Sequence, residues 1–164
     1  MKFYIKQKVF SWGDQFSVYN SREEVLYTVR GEVFSFGKKL HVYDSQGQEV
    51  AAINQKVWSW LHRYIVSENG REVVQVVKRF TLVKPQYDIE GLDWEVSGDF
   101  WGHEYDISCQ NRPIAHISKK WLTWGDTYEV ETFDQSNGLI ELCIAIIIDA
   151  VCASDATAAA VAAS

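Results

Sequence analysis

Four histidines, three cysteines and three short basic clusters are the side chains of this 164-residue chain best suited to chemistry. His41, His62, His103 and His116 are scattered, and none forms the His-x-His or His-Glu-x-x-His spacing that sets two imidazoles on one metal. His103 and Cys109 are near in sequence, but would act as base and nucleophile only if folding brought them within hydrogen-bond reach. No Gly-x-Ser-x-Gly elbow is present. Gly37-Lys38-Lys39 lacks the earlier Gly and the following Ser or Thr of a phosphate-cradling loop. Glu23-Glu24, Asp93, Glu95 and Asp99 do not follow a calcium-loop pattern. The expectation is a protein with no catalytic residue, no metal ligand and no cofactor.

The basic clusters are Lys78-Arg79 with Lys84, Lys119-Lys120, and Lys38-Lys39. Dispersed, such residues are solvated strand edges that discourage aggregation. Gathered on one face, they attract anionic headgroups at about 1 kcal/mol per charge near a membrane surface. Lys78, Arg79 and Lys84 are the predicted headgroup-binding residues. Sixteen Lys and Arg against twenty-two Asp and Glu leave a net charge of −6, which argues against nucleic acid as a partner, since that affinity rests on phosphate neutralisation. The partners expected are an anionic membrane surface or another protein.

Hydrophobic residues make up 47% of the chain and aromatics 14%, a composition that packs, and the length suits a single domain. The opening MKFYIKQKVF is followed by no apolar signal region, so a cytoplasmic location and reduced thiols are expected, with peripheral membrane contact. Cys143 and Cys152 are nine residues apart, on opposite sides of a helix, and cannot bridge each other there.

These groups must be positioned by strands. Runs rich in Val, Ile, Tyr, Phe, Trp and Thr recur at 8–12 residue spacing between turn signals, predicting strands at 3–9, 15–19, 25–33, 38–43, 49–54, 61–67, 72–79, 87–90, 92–97, 103–108, 113–118 and 127–133. Asn69-Gly70 supplies the two positive φ values of a type I′ hairpin, and weaker turns fall at residues 44–47 and 110–112. No stretch is long enough for a crossover helix between strands, so the sheet is expected to be antiparallel.

One pattern recurs three times with identical spacing: Lys8-Val-Phe-Ser-Trp12 with Phe16 and Val18, Lys56-Val-Trp-Ser-Trp60 with Tyr64 and Val66, and Lys120-Trp-Leu-Thr-Trp124 with Tyr128 and Val130. The second and third copies share upstream context, Val50-Ala-Ala-Ile53 and Ile114-Ala-His-Ile117, and Val29-Arg-Gly31 resembles Val96-Ser-Gly98. This describes two β-meander halves. The repeat could make aromatic binding sites rimmed by Lys and Asp, but the preferred reading is a structural corner in which Trp covers the sheet.

Residues 139–152, LIELCIAIIIDAVC, are apolar at all but Glu141 and Asp149. A segment apolar on every side must be enclosed. As a helix it rises about 21 Å, short of the roughly 30 Å hydrocarbon layer. Ser136-Asn137-Gly138 upstream offers capping side chains. A many-stranded closed sheet is too wide for its own side chains to fill, and this segment would fill it. Glu141 and Asp149 should then lie near the mouths or meet partners.

The fold class expected is therefore mainly β, an antiparallel closed barrel of about twelve strands in two meander halves around a central C-terminal helix. The barrel domain would span residues 1–154 with the helix at about 139–153, and residues 155–164 form an Ala-rich tail that either continues the helix or frays. In this order of elements the chain resembles the tubby-like fold. More closely, YIKQKVFSWGDQFSVYN, VRGEVFSFGKKLHVYDSQGQEVAAINQK and GLIELCIAIIIDAV resemble the LURP-one-related family of bacterial and plant proteins. That resemblance covers nearly the whole chain and implies the enclosed helix. It implies no particular activity, because none is generally established for the family. Tubby domains and phospholipid scramblases, distant relatives, are linked with phosphoinositide recognition and lipid movement, though their functional segments do not match this sequence. The expected function is a non-enzymatic binding or scaffold domain that contacts anionic phospholipid headgroups. The alternatives are a small enzyme with a site at a barrel mouth, and a scramblase-like protein whose helix leaves the barrel.

Overall fold

The computed structural model describes residues 1–6, 15–32, 35–81, 84–122, 125–134 and 136–163, without the side chains of residues 121–126. Twelve strands and one helix follow in order: β1 (Lys2–Ile5), β2 (Gln15–Tyr19), β3 (Val25–Gly31), β4 (Lys39–Asp44), β5 (Glu49–Gln55), β6 (Arg63–Glu68), β7 (Arg71–Arg79), β8 (Gln86–Glu90), β9 (Trp94–Asp99), β10 (Glu104–Cys109), β11 (Arg112–Leu122), β12 (Gly125–Thr132) and α1 (Gly138–Ala162). Each strand pairs antiparallel with its sequence neighbour, and β1 closes on β12 through Lys2↔Glu131 to Ile5↔Tyr128. The expected closed meander forms. The predicted strand at 3–9 is seen to Ile5, and its last residues lie outside the described chain.

Alternation along the strands puts one side chain in two inside. Leu40 and Val42, Ala51 and Ile53, Tyr64 and Val66, and Tyr105 and Ile107 point into the barrel and are buried, while their neighbours are wet or half-wet. Asn69 and Gly70 adopt φ of 49° and 77°, as the hairpin requires, and Gln110 and Asn111 at 50° and 62° make a second turn with two positive φ values.

α1 fills the barrel. Ile144, Ile146, Ile147 and Ile148 have no exposed surface, and consecutive residues at 100° per step face all directions, so the helix is enclosed around its whole circumference. Each large apolar side chain so buried stabilises by about 1.5–3 kcal/mol, which outweighs the small helix penalty of the β-branched run. The helix begins without a side-chain cap: Asn137 Nδ2 donates to Asp134 and to Ser136 Oγ instead of serving the first turn. The expected cap is therefore replaced by an Asp134-centred turn, in which Ser136 N–H and Oγ both bond to Asp134 Oδ1.

Parity fixes where the connections lie. α1 starts beside Phe3 and Thr132, near the start of β1 and the end of β12, and its far end meets Lys38 and Lys78. The barrel thus has a helix-entry end and a helix-exit end. At the exit end lie Glu32, residues 35–38, 56–62, 80–81, 84–85 and 100–103. The buried part of α1 stops at Cys152, yet the helix runs on to Ala162, exposed beyond the rim from Ala156 onward.

Candidate functional site

Lys78 and Arg79 close β7 at the exit end, and Lys84 stands in the connection to β8. Folding brings all three onto one pocket of about 210 Å³, with Phe80, Thr81, Pro85, Trp101 and Asp155 as its other walls. The Thr81 hydroxyl donates to the Lys84 carbonyl. Lys78 pairs with Asp155 of α1, and Arg79 with Asp88 of β8. Lys84 has no ion-pair partner among the described residues. Three cations thus meet two carboxylates; the Arg79–Asp88 pair is exposed and contributes little net stability, so an arriving anion can replace that carboxylate at small cost.

The other basic clusters fall at the same end. Lys38 Nζ donates to Ser154 Oγ at 3.2 Å, and burial pulls its ammonium below the ordinary lysine range, opposed by Asp155. Lys39 opens β4, and Lys119 and Lys120 lie near the close of β11, with Lys119 5.9 Å from the Tyr128 ring centroid. At the entry end, connections carry Glu23, Glu24, Asp93 and Asp134 against Arg22. The barrel is therefore polarised, with cations concentrated at its exit end although the whole chain is acidic.

Aromatic side chains crowd the same rim. Trp58 is 87% exposed and Trp60 fully so; Phe36, Phe80 and Trp101 are also exposed, and each sits in an exit-end connection. Phe36 and Trp58 stand 6.4 Å apart, and an open depression of about 510 Å³ is walled by Lys56, Trp58, Trp60, Leu61 and Arg63. This corrects the corner reading of the repeat: in its second copy the tryptophans cover no sheet and project into solvent. The first copy's Trp12 and the third copy's Trp121 and Trp124 lie outside the described side chains. Phe36, Trp58 and Trp60 thus form one exposed aromatic group of this rim, and Phe80 and Trp101 a second beside the basic pocket.

The remaining chemistry is dispersed. His103 engages Asp149, whereas Cys109 closes β10 six residues on, about 20 Å away along an extended strand, so the two do not form a nucleophile–base pair. His41 lies between Glu32 and Glu49, and His116 between Glu104 and Asp106. Among the described residues no group of three or more His, Cys, Asp and Glu is arranged to hold a metal ion. Burial pushes the Cys143 thiol up to about 12 and Cys152 to about 11, which makes both poor nucleophiles. Among the described residues no helix is long and apolar enough to cross a membrane.

A closed twelve-stranded meander around a buried C-terminal helix is a distinctive arrangement, and residues 1–149 match the profile of LURP-one-related proteins. The chain belongs to the LURP-one-related family. It is 38% identical over 155 residues to YxjI of Bacillus subtilis (strain 168), an uncharacterized protein, covering 94% of this chain and 96% of that one. Its fold is similar to the X-ray structure of a protein from Arabidopsis thaliana, with a TM-score of 0.62 at 16% identity over 92% of this chain and 90% of the other. The barrel of this chain is filled by its own helix. That leaves the rim and the outer wall as the surfaces available for binding.

Proposed function

We propose that this LURP-one-related protein is a non-enzymatic binding domain that docks from the cytoplasm on anionic phospholipid surfaces through its helix-exit end. The observation that carries the reading is the coincidence, at one end of the barrel, of exposed aromatics and the Lys78, Arg79 and Lys84 pocket. Aromatic rings favour the membrane interface, where an apolar body meets a wet edge, and cations add about 1 kcal/mol each near an anionic surface. Lys84 takes a phosphate, Arg79 exchanges its carboxylate partner for it, and Phe80 and Trp101 enter the headgroup layer beside it.

Liposome flotation tests this across lipid compositions and salt. The intact protein should float with vesicles containing anionic lipid, less so as salt rises, and K78E/R79E/K84E should stay at the bottom. Equal retention of both proteins, or no flotation on any anionic lipid, would refute the headgroup reading.

A further inference from the structure

Among the described residues the barrel wall is thinly paired between β8 and β9. β8 and β9 share a single bridge, Asp88↔Glu95, where β7 and β8 share five pairs and β9 and β10 share six. β9 is also a strand without a buried residue; its inward-facing Trp94 and Val96 are only partly covered. Gly98 of β9 has φ of 141°, and a Cβ there would fall 2.6 Å from Tyr105 Cα of β10, so glycine is required at this position.

The opening holds a cavity of about 380 Å³, within the range of small-molecule sites. Its apolar walls are Tyr87, Ile89, Trp94, Val96 and Phe100, and the Tyr87 and Phe100 rings stack edge-on at 5.1 Å at its inner side. Arg79, Asp88 and Glu95 all line it; Arg79 pairs with Asp88, and Glu95 has no ion-pair partner among the described residues. The charged lining therefore carries one net negative charge, at Glu95.

We propose that the β8–β9 opening is a binding site for a small organic amine with an apolar body. The ammonium group sits against the Glu95 carboxylate and the Trp94 ring, and the apolar body lies between Ile89, Val96 and Phe100. A neutral ligand of the same shape forfeits the charge contact, and an anion meets repulsion. The site is separate from Trp58 and Trp60 and shares Arg79 with the headgroup pocket.

Calorimetry on the full chain with octylammonium, octan-1-ol and octanoate, each below its aggregation concentration, tests the assignment, with the Trp94 indole N–H followed by NMR. Octylammonium should bind and shift the Trp94 signal, octanol should bind at least tenfold more weakly, and octanoate should not bind. E95K, at an exposed position, should abolish octylammonium binding with an unchanged thermal melt, V96W should do so by filling the cavity, and W58A/W60A should leave it intact. Equal binding of all three probes, no binding of octylammonium at millimolar concentration, or E95K binding like the native chain would overturn the proposal.

Discussion

His103 Nδ1 lies 2.6 Å from Asp149 Oδ1, and this contact joins the β9–β10 connection to the centre of the barrel. Asp149 sits on α1 and is 4% exposed; His103 reaches it from a residue at φ 55° and turns its ring edge toward Tyr128, 5.1 Å away. The sequence expectation that Asp149 meets a partner is fulfilled by a side chain of a loop rather than of a strand. Removing His103 leaves the buried Asp149 carboxylate without its polar neighbour, and an unpartnered buried polar group costs about 1–3 kcal/mol. H103A should therefore destabilise strongly in urea unfolding at pH 7, and D149N should recover most of that loss in the double variant. Additive effects of the two substitutions would show that the pair is not coupled.

Glu141 presents the opposite case. It is fully buried in the first turn of α1, and neither carboxylate oxygen has a hydrogen-bond partner among the described residues. Burial, and secondarily the charge of Asp134, raise its carboxyl from 4.5 to about 8, while the N-terminal ammonium opposes the shift. Between these values the folded chain holds a proton that the unfolded chain has released, so its contribution to stability is lost as pH rises from about 4.5 to 8. E141Q should flatten this loss and raise stability at pH 8 by on the order of 1–3 kcal/mol. A pH series of urea unfolding curves running parallel for the two proteins would contradict it.

Core and rim should respond differently to truncation. I147A removes three carbons from a fully buried position and should cost about 2–5 kcal/mol. W60A removes a larger side chain from solvent and should change stability by no more than about 0.5 kcal/mol. Thermal denaturation of both variants checks this, and a W60A loss as large as that of I147A would restore the packing role of the tryptophan.

The three thiols should separate by accessibility. Cys109 is half-buried near the β10–β11 turn, whereas Cys143 and Cys152 are buried with raised thiols. A disulfide reagent at pH 8 should modify one thiol in the native protein and three in urea. Rapid modification of all three in the native state would mean that α1 is not enclosed.

Strand alternation, Asn69-Gly70 and the all-round apolarity of residues 139–152 made the barrel and its helix legible, because each is a local consequence of side-chain period or backbone φ. The basic trio was legible as residues and not as a pocket, since Trp101 and Asp155 reach it from distant parts of the chain. The tryptophans misled: β-propensity and bulk suggested covering, and only strand parity shows that these connections share the exit end. The β8–β9 opening left no local mark, because residues 87–97 read as an ordinary hairpin.

The seating of the exit end on an anionic lipid surface is tested most directly by tryptophan quenching with vesicles of anionic phospholipid carrying brominated acyl chains. The native protein should lose emission on these vesicles and not on zwitterionic ones, and replacing Trp58, Trp60 and Trp101 together by Phe should remove most of the quenching while binding persists. Undiminished native emission, or quenching unchanged by the three substitutions, would contradict docking through this end.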